Sequence, residues 1–542
     1  MKNNIRFAIS LFLLVAFIAP SCLKEKLKDR PLTEAFSHTE SDINLQVSGM
    51  YADIAQFNCF KNAMIFPLIM GADNLSGFGG DAATFTQKLF TPQARYFTEP
   101  WGSFYRVINH ANTLLPLIEK ADISFGFRDK INGNLYFLRA FCYFNLVRMF
   151  GGVPIRTEPV NSQSDFNLPR SSRDEVYTLI FSDLEKAFPL LPLNSQLTAA
   201  EFGNASRGSA QAILSLAYLT YGNHQEFASN TAGATASYTK ARAFADSVII
   251  SSQYSLVSNY ADLWDIQKEN EAYKEVIFGI PYKRDGGASL SSSLGSEIGT
   301  WVRGGGQWRI QPWFYDQCRT GDYVNDYRTD VTFLTQYINE TNGKVTVTFP
   351  KIPATGQLTI AQPFLNKYND PSPPDTRNRE NDFFIIRLAE VYLIKAEAEN
   401  ELNGPTTDGI TAFNKLRERA RLANGTPRAT PANITVASLT KTTFRQKIFL
   451  ERGFELCGEG QRWFDLVRMK SPTGTTMYEY QYNTVMPAFP QGLPVYTAAT
   501  QTWSNRRVAP NSVIPYHVRY LLYPIPTTEL GINRNMTPNP GW

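Results

Sequence analysis

Two separated blocks of helical periodicity constrain the fold of this chain more than any other feature. Residues 101–255 and 381–470 repeat apolar side chains at helical spacing, in segments joined by short breaks. Small residues occupy packing positions around the segment 205–222: Ala205, Gly208, Ala212 and Ala217. This arrangement favours antiparallel helical hairpins of the tetratricopeptide type. A generic α-bundle has the same periodicity and stays open as the alternative.

The periodicity also predicts where the individual helices begin and end. Ser172 with Glu175 three residues later has the pattern of a capping box, and Gly151-Gly152 ends the preceding helix. The predicted helices are 101–120, 128–150, 171–191, 205–222, 236–251, 381–403, 406–422, 441–458 and 459–470.

Three regions lack helical periodicity and are rich in Gly, Pro and aromatic residues. They are 71–100, 255–380 and the tail 471–542. Within the second, VTVTFPKI (345–352) alternates and predicts a strand. The expected fold is therefore α-rich, with helical hairpins, long irregular loops and minor β strands. Long ordered loops on a rigid scaffold are where binding residues concentrate.

The N-terminus has the layout of a secretory leader. Lys2 and Arg6 precede an apolar stretch, Phe7 to Ala19, that is short for a membrane span. Small residues and then Cys22 follow, as in a bacterial lipoprotein. We expect a signal peptide over 1–21, lipidation of Cys22, and one domain over 22–542. An ordinary signal peptide with an incidental cysteine, or a single N-terminal membrane anchor, is the alternative.

Charge, histidine and cysteine usage argue against several classes of protein. The net charge is +4, from 53 basic and 49 acidic residues without a long basic run, which disfavours nucleic acid as a partner. The remaining cysteines form no CxxC pair, and the histidines are too dispersed to suggest a metal site. We expect neither a metal nor a cofactor. These residues are Cys59, Cys142, Cys318, Cys457, His38, His110, His224 and His517.

The segment 451–468 concentrates charge in a way that invites an enzymatic interpretation. Its acids could serve as a catalytic pair, yet arginines alternate with them and Trp463, Phe464 and Leu466 lie between. We interpret the segment as a structural ion network. GxSxG, GK[ST] and HExxH are all missing from the sequence. The chain is therefore expected not to be an enzyme. Two distant carboxylates meeting as in a glycosidase remain the alternative.

Five segments, in order along the chain, resemble the SusD/RagB family. They read RAFCYFNLVRMFGGVPI (139–155), RLAEVYLIKAEAENELNG (387–404), FNKLRERARL (413–422), FRQKIFLERGFELCGEGQRWFDLVRMK (444–470) and YLLYPIPTTELGINRNMTPNPGW (520–542). The resemblance implies a surface lipoprotein of the outer membrane. It also implies a lid on a TonB-dependent barrel of the SusC type, which imports oligosaccharides or, in some members, peptides.

Sugar recognition needs aromatic rings for the apolar C–H faces and polar side chains for the hydroxyls. Two loop segments, 71–87 and 299–313, have this mixture. We expect Trp301 or Trp308 to be the stacking platform, with Trp503 in the tail as the alternative. Burial of these tryptophans under the loops is the competing interpretation. The candidate ligand-binding residues are Asp73, Asn74, Phe78, Trp301, Arg303, Gln307 and Trp308.

Overall fold

A computed structural model describes residues 39–160, 167–283, 306–338, 343–370 and 379–542. Its helices are α1 Glu40–Ala55, α2 Ile65–Met70, α3 Gly80–Thr86, α4 Arg95–Ile118, α5 Phe125–Phe150, α6 Arg173–Leu190, α7 Arg207–Phe227, α8 Thr231–Ile250, α9 Glu269–Ala272, α10 Pro312–Gln317, α11 Tyr327–Thr332, α12 Leu388–Asn403, α13 Thr407–Ala420, α14 Lys441–Glu455, α15 Arg462–Arg468, α16 Met477–Tyr480 and α17 Thr527–Ile532. Its strands are β1 Leu75–Gly77, β2 Val276–Ile280, β3 Trp308–Ile310, β4 Phe333–Leu334, β5 Gln336–Ile338, β6 Val345–Thr348, β7 Leu358–Ile360, β8 Phe364–Leu365, β9 Phe383–Arg387, β10 Leu422–Ala423, β11 Thr426–Pro427, β12 Tyr496–Thr497 and β13 Thr502–Trp503.

The long helices pack as consecutive pairs, as the periodicity predicts. Helix α4 packs on α5, α5 on α6, α6 on α7 and α7 on α8, while α12 joins α8 to α13 and α14. Ala212 and Ala217 on α7 are fully buried. A Cβ added at Gly222 would lie 2.6 Å from the Tyr238 ring on α8, so the glycine lets the two helices approach closely. The α-rich fold with helical hairpins is confirmed.

The predicted capping box at Ser172 and the predicted helix end at Gly151 are confirmed, whereas other helices of the first block begin or end up to six residues from the predicted positions. The Ser172 hydroxyl accepts a hydrogen bond from the Glu175 backbone N–H at 3.2 Å, and the Glu175 carboxylate accepts one from the Ser172 N–H at 2.7 Å. Gly151 ends α5 with φ +77°, a conformation that favours glycine.

Short strands bring the loop regions together. The largest sheet has the order β1-β3-β8-β4, and separate sheets contain β2-β9 and β5-β6-β7. Strand β6 confirms the strand that alternation predicted within 345–352. The prediction of helix from residue 381 is wrong, because Phe383–Arg387 forms β9 and pairs antiparallel with β2. All five residues are buried, and periodicity cannot assign so short an apolar run. Helices α1 and α2 had not been predicted.

The charged segment 451–468 is buried and paired with other segments. Glu455 accepts hydrogen bonds from Arg328 at 2.8 Å and Arg387 at 2.6 Å, and a short one from Arg419. Burial opposes the charged form of Glu455. The charges of Arg419, Arg387 and Arg328 outweigh it and hold the pKa of this carboxyl well below its usual range. The members of the segment, all buried, are Glu451, Arg452, Glu455, Glu459, Arg462, Asp465 and Arg468.

A second part of the network joins α14 and α15 to α12. Arg452 bridges Glu390 and Asp465, with N–O distances of 2.8 Å to each. Arg468 contacts the same Asp465 at 2.8 Å and also Glu397. Carboxylates held in this way stabilise the helix packing and are not open to a substrate. The interpretation of the segment as a structural ion network is confirmed.

Candidate ligand-binding surface

Strand pairing brings the two candidate loops into contact. Strand β1 from the segment 71–87 pairs antiparallel with β3 from the segment 299–313. In the register, Gly77 lies opposite Trp308 and Ser76 opposite Arg309. Segments that are far apart in the sequence therefore form one continuous surface.

Glycines after β1 set the position of Phe78. Gly79 and Gly80 have φ values of +75° and +48°, which turn the chain sharply into α3. A Cβ at Gly77 would lie 2.2 Å from the Ala82 backbone, so only glycine lets β1 approach α3 this closely. The Gly77 N–H donates to the Thr86 hydroxyl at 2.7 Å. The turn is fixed, and it leaves the Phe78 ring 53% exposed.

The Arg309 guanidinium packs against the face of the Phe78 ring. Its guanidinium carbon lies 3.9 Å from the ring centroid, and its Nε donates to the Gly306 carbonyl at 3.0 Å. The side chain is 7% exposed, and burial lowers the pKa of Arg309. Among the described residues, no carboxylate lies within ion-pair distance of it. The pair therefore offers an exposed aromatic face backed by a buried guanidinium that has no ion-pair partner among the described residues.

Alternation along β3 separates its side chains into two sets. Arg309 lies on one side of the strand and Trp308 on the other, and Gln307 is the residue that precedes the strand. Gln307 is half-buried. Trp308 is 2% exposed, and the Tyr368 ring lies edge-on at 6.5 Å. The prediction that Trp308 stacks on the ligand is wrong, because this face of β3 belongs to the core.

Two polar candidates in the first loop are also buried. Arg462 donates to both carboxylate oxygens of Asp73, at 2.7 and 2.9 Å. The Asn74 amide nitrogen contacts the Cys457 sulfur at 3.8 Å, and both loop residues are at most 1% exposed. The prediction that Asp73 and Asn74 contact the ligand is therefore wrong. They attach the start of β1 to the core.

Three predicted residues lie outside the described part of the chain. They are Cys22, Trp301 and Arg303, and their roles stay predictions. Arg309 was not predicted as a ligand-binding residue, although it lies in the segment 299–313, two residues after Gln307. Strand alternation starting from Gln307 would have identified it.

The alternative platform in the tail is only partly available. Trp503 on β13 is half-buried, with its Nε1 donating to the Lys351 carbonyl at 3.0 Å. Tyr496 lies 5.4 Å away and Phe349 lies edge-on at 5.8 Å. Protein groups thus occupy much of the Trp503 ring, whereas the outer face of Phe78 is open.

Across the described residues, no group of three or more His, Cys, Asp and Glu side chains is arranged to hold a metal ion. None of the helices in those ranges is both long and apolar enough to span a bilayer.

Comparison with known proteins identifies the fold. The model of the SusD family matches residues 274–542, and a model described as starch-binding associating with outer membrane matches residues 29–219. The chain belongs to the SusD/RagB family. In this SusD/RagB chain, β1 comes from one matched region and β3 from the other. The surface around Phe78 therefore lies where the two regions meet.

Similar SusD proteins cover three quarters or more of the chain. The SusD-like protein P25 of Formosa agariphila is 27% identical, over 97% of this chain and 96% of its own length. The starch-binding protein SusD of Bacteroides thetaiotaomicron is 26% identical, over 75% of this chain and 72% of its own.

Solved structures of SusD proteins share the fold. A laminarin binding SusD-like protein superimposes with a TM-score of 0.69 at 23% identity, covering 93% of this chain and 99% of that one. A SusD homologue from Bacteroides thetaiotaomicron gives 0.75 at 20% identity, with coverages of 95% and 99%.

Proposed function

We propose that this chain is a cell-surface glycan-binding lipoprotein that captures oligosaccharides and delivers them to a TonB-dependent transporter of the SusC type. The observation that carries the proposal is the exposed Phe78 ring backed by Arg309. Two similar proteins have names that specify glycan ligands, starch and laminarin. Capture and delivery require no bond to break, so the proposed activity is not enzymatic.

The chemistry of the surface suits a sugar ring. An apolar C–H face would stack on the outer side of Phe78, while Arg309 and Gln307 would bond the hydroxyls at its edge. Water competes well for hydroxyl groups, so stacking supplies much of the net free energy. Trp301 and Arg303 precede β3 in the sequence and remain proposed contacts.

The decisive experiment removes the platform. Phe78→Ala is expected to weaken binding of the best oligosaccharide about thirtyfold, because truncating an aromatic anchor costs about 2 kcal/mol or more. Phe125→Ala is the matched control: that ring is 81% exposed, and the Arg128 guanidinium lies 5.5 Å from its centroid. Calorimetric titration against a panel of α- and β-glucan oligosaccharides measures both variants.

Each outcome of the titration has a clear meaning. Equal affinity for Phe78→Ala and the parent would place the platform elsewhere. Binding of peptides in place of every oligosaccharide would favour the peptide-binding RagB-like alternative. Shortening of the oligosaccharide during incubation would favour the glycoside hydrolase alternative, and product analysis by mass spectrometry detects it.

We further propose that Cys22 carries the lipid anchor that holds the protein on the outer membrane, facing outwards. Each buried acyl CH₂ contributes about 0.8 kcal/mol, so several chains anchor firmly. Cys22→Ala is expected to move the protein out of the outer-membrane fraction in cells without the transporter. Full retention of this variant in the membrane fraction would contradict lipid anchoring.

The transporter partner is tested independently of the glycan. A tagged copy, solubilised in mild detergents, is expected to retain a TonB-dependent barrel on affinity resin. Consistent recovery of the tagged protein without any barrel would contradict the proposed complex, whatever the glycan titration gives.

A further inference from the structure

A cavity of about 250 Å³ lies where the C-terminal ends of α5 and α7 meet the N-terminal end of α6 and the side of α15. Val147, Phe227, Val467 and Leu522 give it apolar walls. It shares no lining residue with the surface around Phe78, so the inference drawn from it does not rest on the proposed glycan function.

Arg148 enters this cavity, and it has no ion-pair partner among the residues that the structure describes. Its guanidinium lies between two aromatic rings, 4.0 Å from the Phe144 centroid and 3.9 Å from that of Phe464. Its one hydrogen bond within the described chain goes from Nη2 to the Asn145 side-chain oxygen, at 2.7 Å. Burial lowers the pKa of Arg148 to about 10, which still leaves it charged at neutral pH.

A second arginine lines the same cavity from α6. The Arg173 Nη1 lies 3.5 Å from the His224 Nδ1, and the other ring nitrogen of His224 is 3.5 Å from the Asp174 carboxylate. Burial lowers the pKa of Arg173, and burial together with the Arg173 charge lowers that of His224. At neutral pH, His224 is thus neutral and Arg173 supplies the charge.

A phenol completes the polar side of the cavity. Tyr177 is buried, and its hydroxyl has no hydrogen-bond partner among the residues that the structure describes. Burial raises its pKa to about 12, and the charges of Arg148, Arg173 and Arg468 act against that rise. The phenol therefore stays protonated and can donate a hydrogen bond to a ligand.

The acids around the cavity do not neutralise these arginines by contact. Arg468, also in the lining, is paired with Glu397 and Asp465. Glu390 and Asp465 act on Arg148 only through longer-range attraction. Within the described ranges, no carboxylate oxygen lies within 4 Å of the Arg148 or Arg173 nitrogens. Both guanidinium groups are half-buried, and a partly desolvated charge is stabilised by a partner of opposite sign.

We propose that the cavity binds a small organic carboxylate. Arg148 and Arg173 would bond its oxygens, Tyr177 would donate a third hydrogen bond, and its apolar part would contact Val147 and Val467. Guanidinium and carboxylate groups form strong charge-assisted bonds. The cavity is larger than the cavity of about 150 Å³ that binds benzene, so a molecule the size of benzoate fits.

Benzoate and its neutral isostere benzamide are the probes. Titration of the purified mature chain by calorimetry is expected to detect benzoate and not benzamide. Arg173→Gln is expected to weaken benzoate about tenfold or more, equivalent to about 1.4 kcal/mol. Arg421→Gln is the matched control, because Arg421 is also half-buried but bonds the Pro431 carbonyl away from the cavity.

Arg148→Gln tests the other guanidinium group. If that variant fails to fold, Arg173→Gln still decides whether the cavity binds a carboxylate, since Arg173 is half-buried and outside the core. Equal binding of benzoate and benzamide, or no binding of either, would overturn the proposal. So would full benzoate affinity in Arg173→Gln, or binding of sulfate in place of benzoate. Glycan affinity is expected to stay unchanged in Arg173→Gln, which separates this site from the surface around Phe78.

Discussion

Arg462 on α15 donates two hydrogen bonds, of 2.7 and 2.9 Å, to the carboxylate of Asp73. Asp73 lies in the loop before β1. Both side chains are buried, and Arg462 also donates to the Phe449 carbonyl at 3.0 Å. The pair therefore attaches the loop that presents Phe78 to the C-terminal helices. Asp73 contributes to the candidate ligand-binding surface by fixing the backbone beneath it.

Removing Arg462 is expected to destabilise the protein strongly. Arg462→Ala leaves the Asp73 carboxylate buried and unpaired, which should lower the free energy of unfolding by about 3–5 kcal/mol. Urea denaturation followed by circular dichroism measures it, with Arg421→Ala as the control. If Arg462→Ala left the unfolding midpoint unchanged but abolished glycan binding, the result would indicate that Asp73 contacts the ligand.

Trp308→Phe separates a core role from a stacking role. The Trp308 Nε1 has no hydrogen-bond partner among the described residues, so the change loses packing but no hydrogen bond. We expect a lower melting temperature, because a smaller side chain leaves a void, with glycan affinity retained. An affinity loss as large as that of Phe78→Ala would show that Trp308 contacts the ligand after all.

Asp382 predicts a pH dependence of stability. Its carboxyl is buried and accepts hydrogen bonds from the Tyr282 N–H at 2.7 Å and the Tyr273 hydroxyl at 2.9 Å. Burial, reinforced by the Glu269 charge, raises the pKa of Asp382 to about 8. In the unfolded chain it ionises near pH 4. Between about pH 4 and pH 8 the folded state thus holds a proton that the unfolded state has lost.

The Asp382 contribution to stability should therefore fall as pH rises through that window, by about 1.4 kcal/mol per pH unit. Asp382→Asn is expected to remove this contribution, so the variant gains stability relative to the parent as pH approaches 8. Denaturation series from pH 5 to about pH 8 compare the two. Asp129→Asn, at an exposed position on α5, is the control, and parallel pH profiles for Asp382→Asn and the parent would contradict the prediction.

The four described cysteines should be inert in the folded protein. Cys59, Cys142, Cys318 and Cys457 are buried and free, which confirms that they are isolated thiols. Burial raises the pKa of each, to about 12 for Cys457, so little thiolate exists at neutral pH. A thiol reagent is expected to label all four only in denaturant. Rapid labelling of any of them under native conditions would indicate local opening.

Patterns that act within one helix could be predicted from the sequence. The capping box at Ser172 and Glu175 involves neighbours in the chain, and the helix periods need no knowledge of distant partners. The alternating charges of 451–468 also indicated pairing, although the partners Arg328 and Arg387 could not be identified. Short-range chemistry therefore accounts for most of the helical scaffold.

The candidate ligand-binding surface could not be predicted fully, because it depends on contacts between distant residues that a single sequence does not reveal. Asp73 looks like an exposed loop acid until its distant partner Arg462 is known. Trp308 has glycines before it, which suggested exposure, but pairing of β3 with β1 turns that face of the strand inwards. The same alternation leaves Arg309 on the opposite side of β3 from Trp308.

The pairing of β1 with β3 has a thermodynamic consequence. Because Phe78 and Arg309 belong to distant parts of the chain, a glycan held by both would act as a clamp between them. Linkage then requires the bound sugar to raise the free energy of global unfolding by RT ln(1 + [L]/Kd). Partial unfolding that detaches either strand should release the sugar at once. Measuring whether the glycan stays bound would therefore report whether β1 and β3 are still paired.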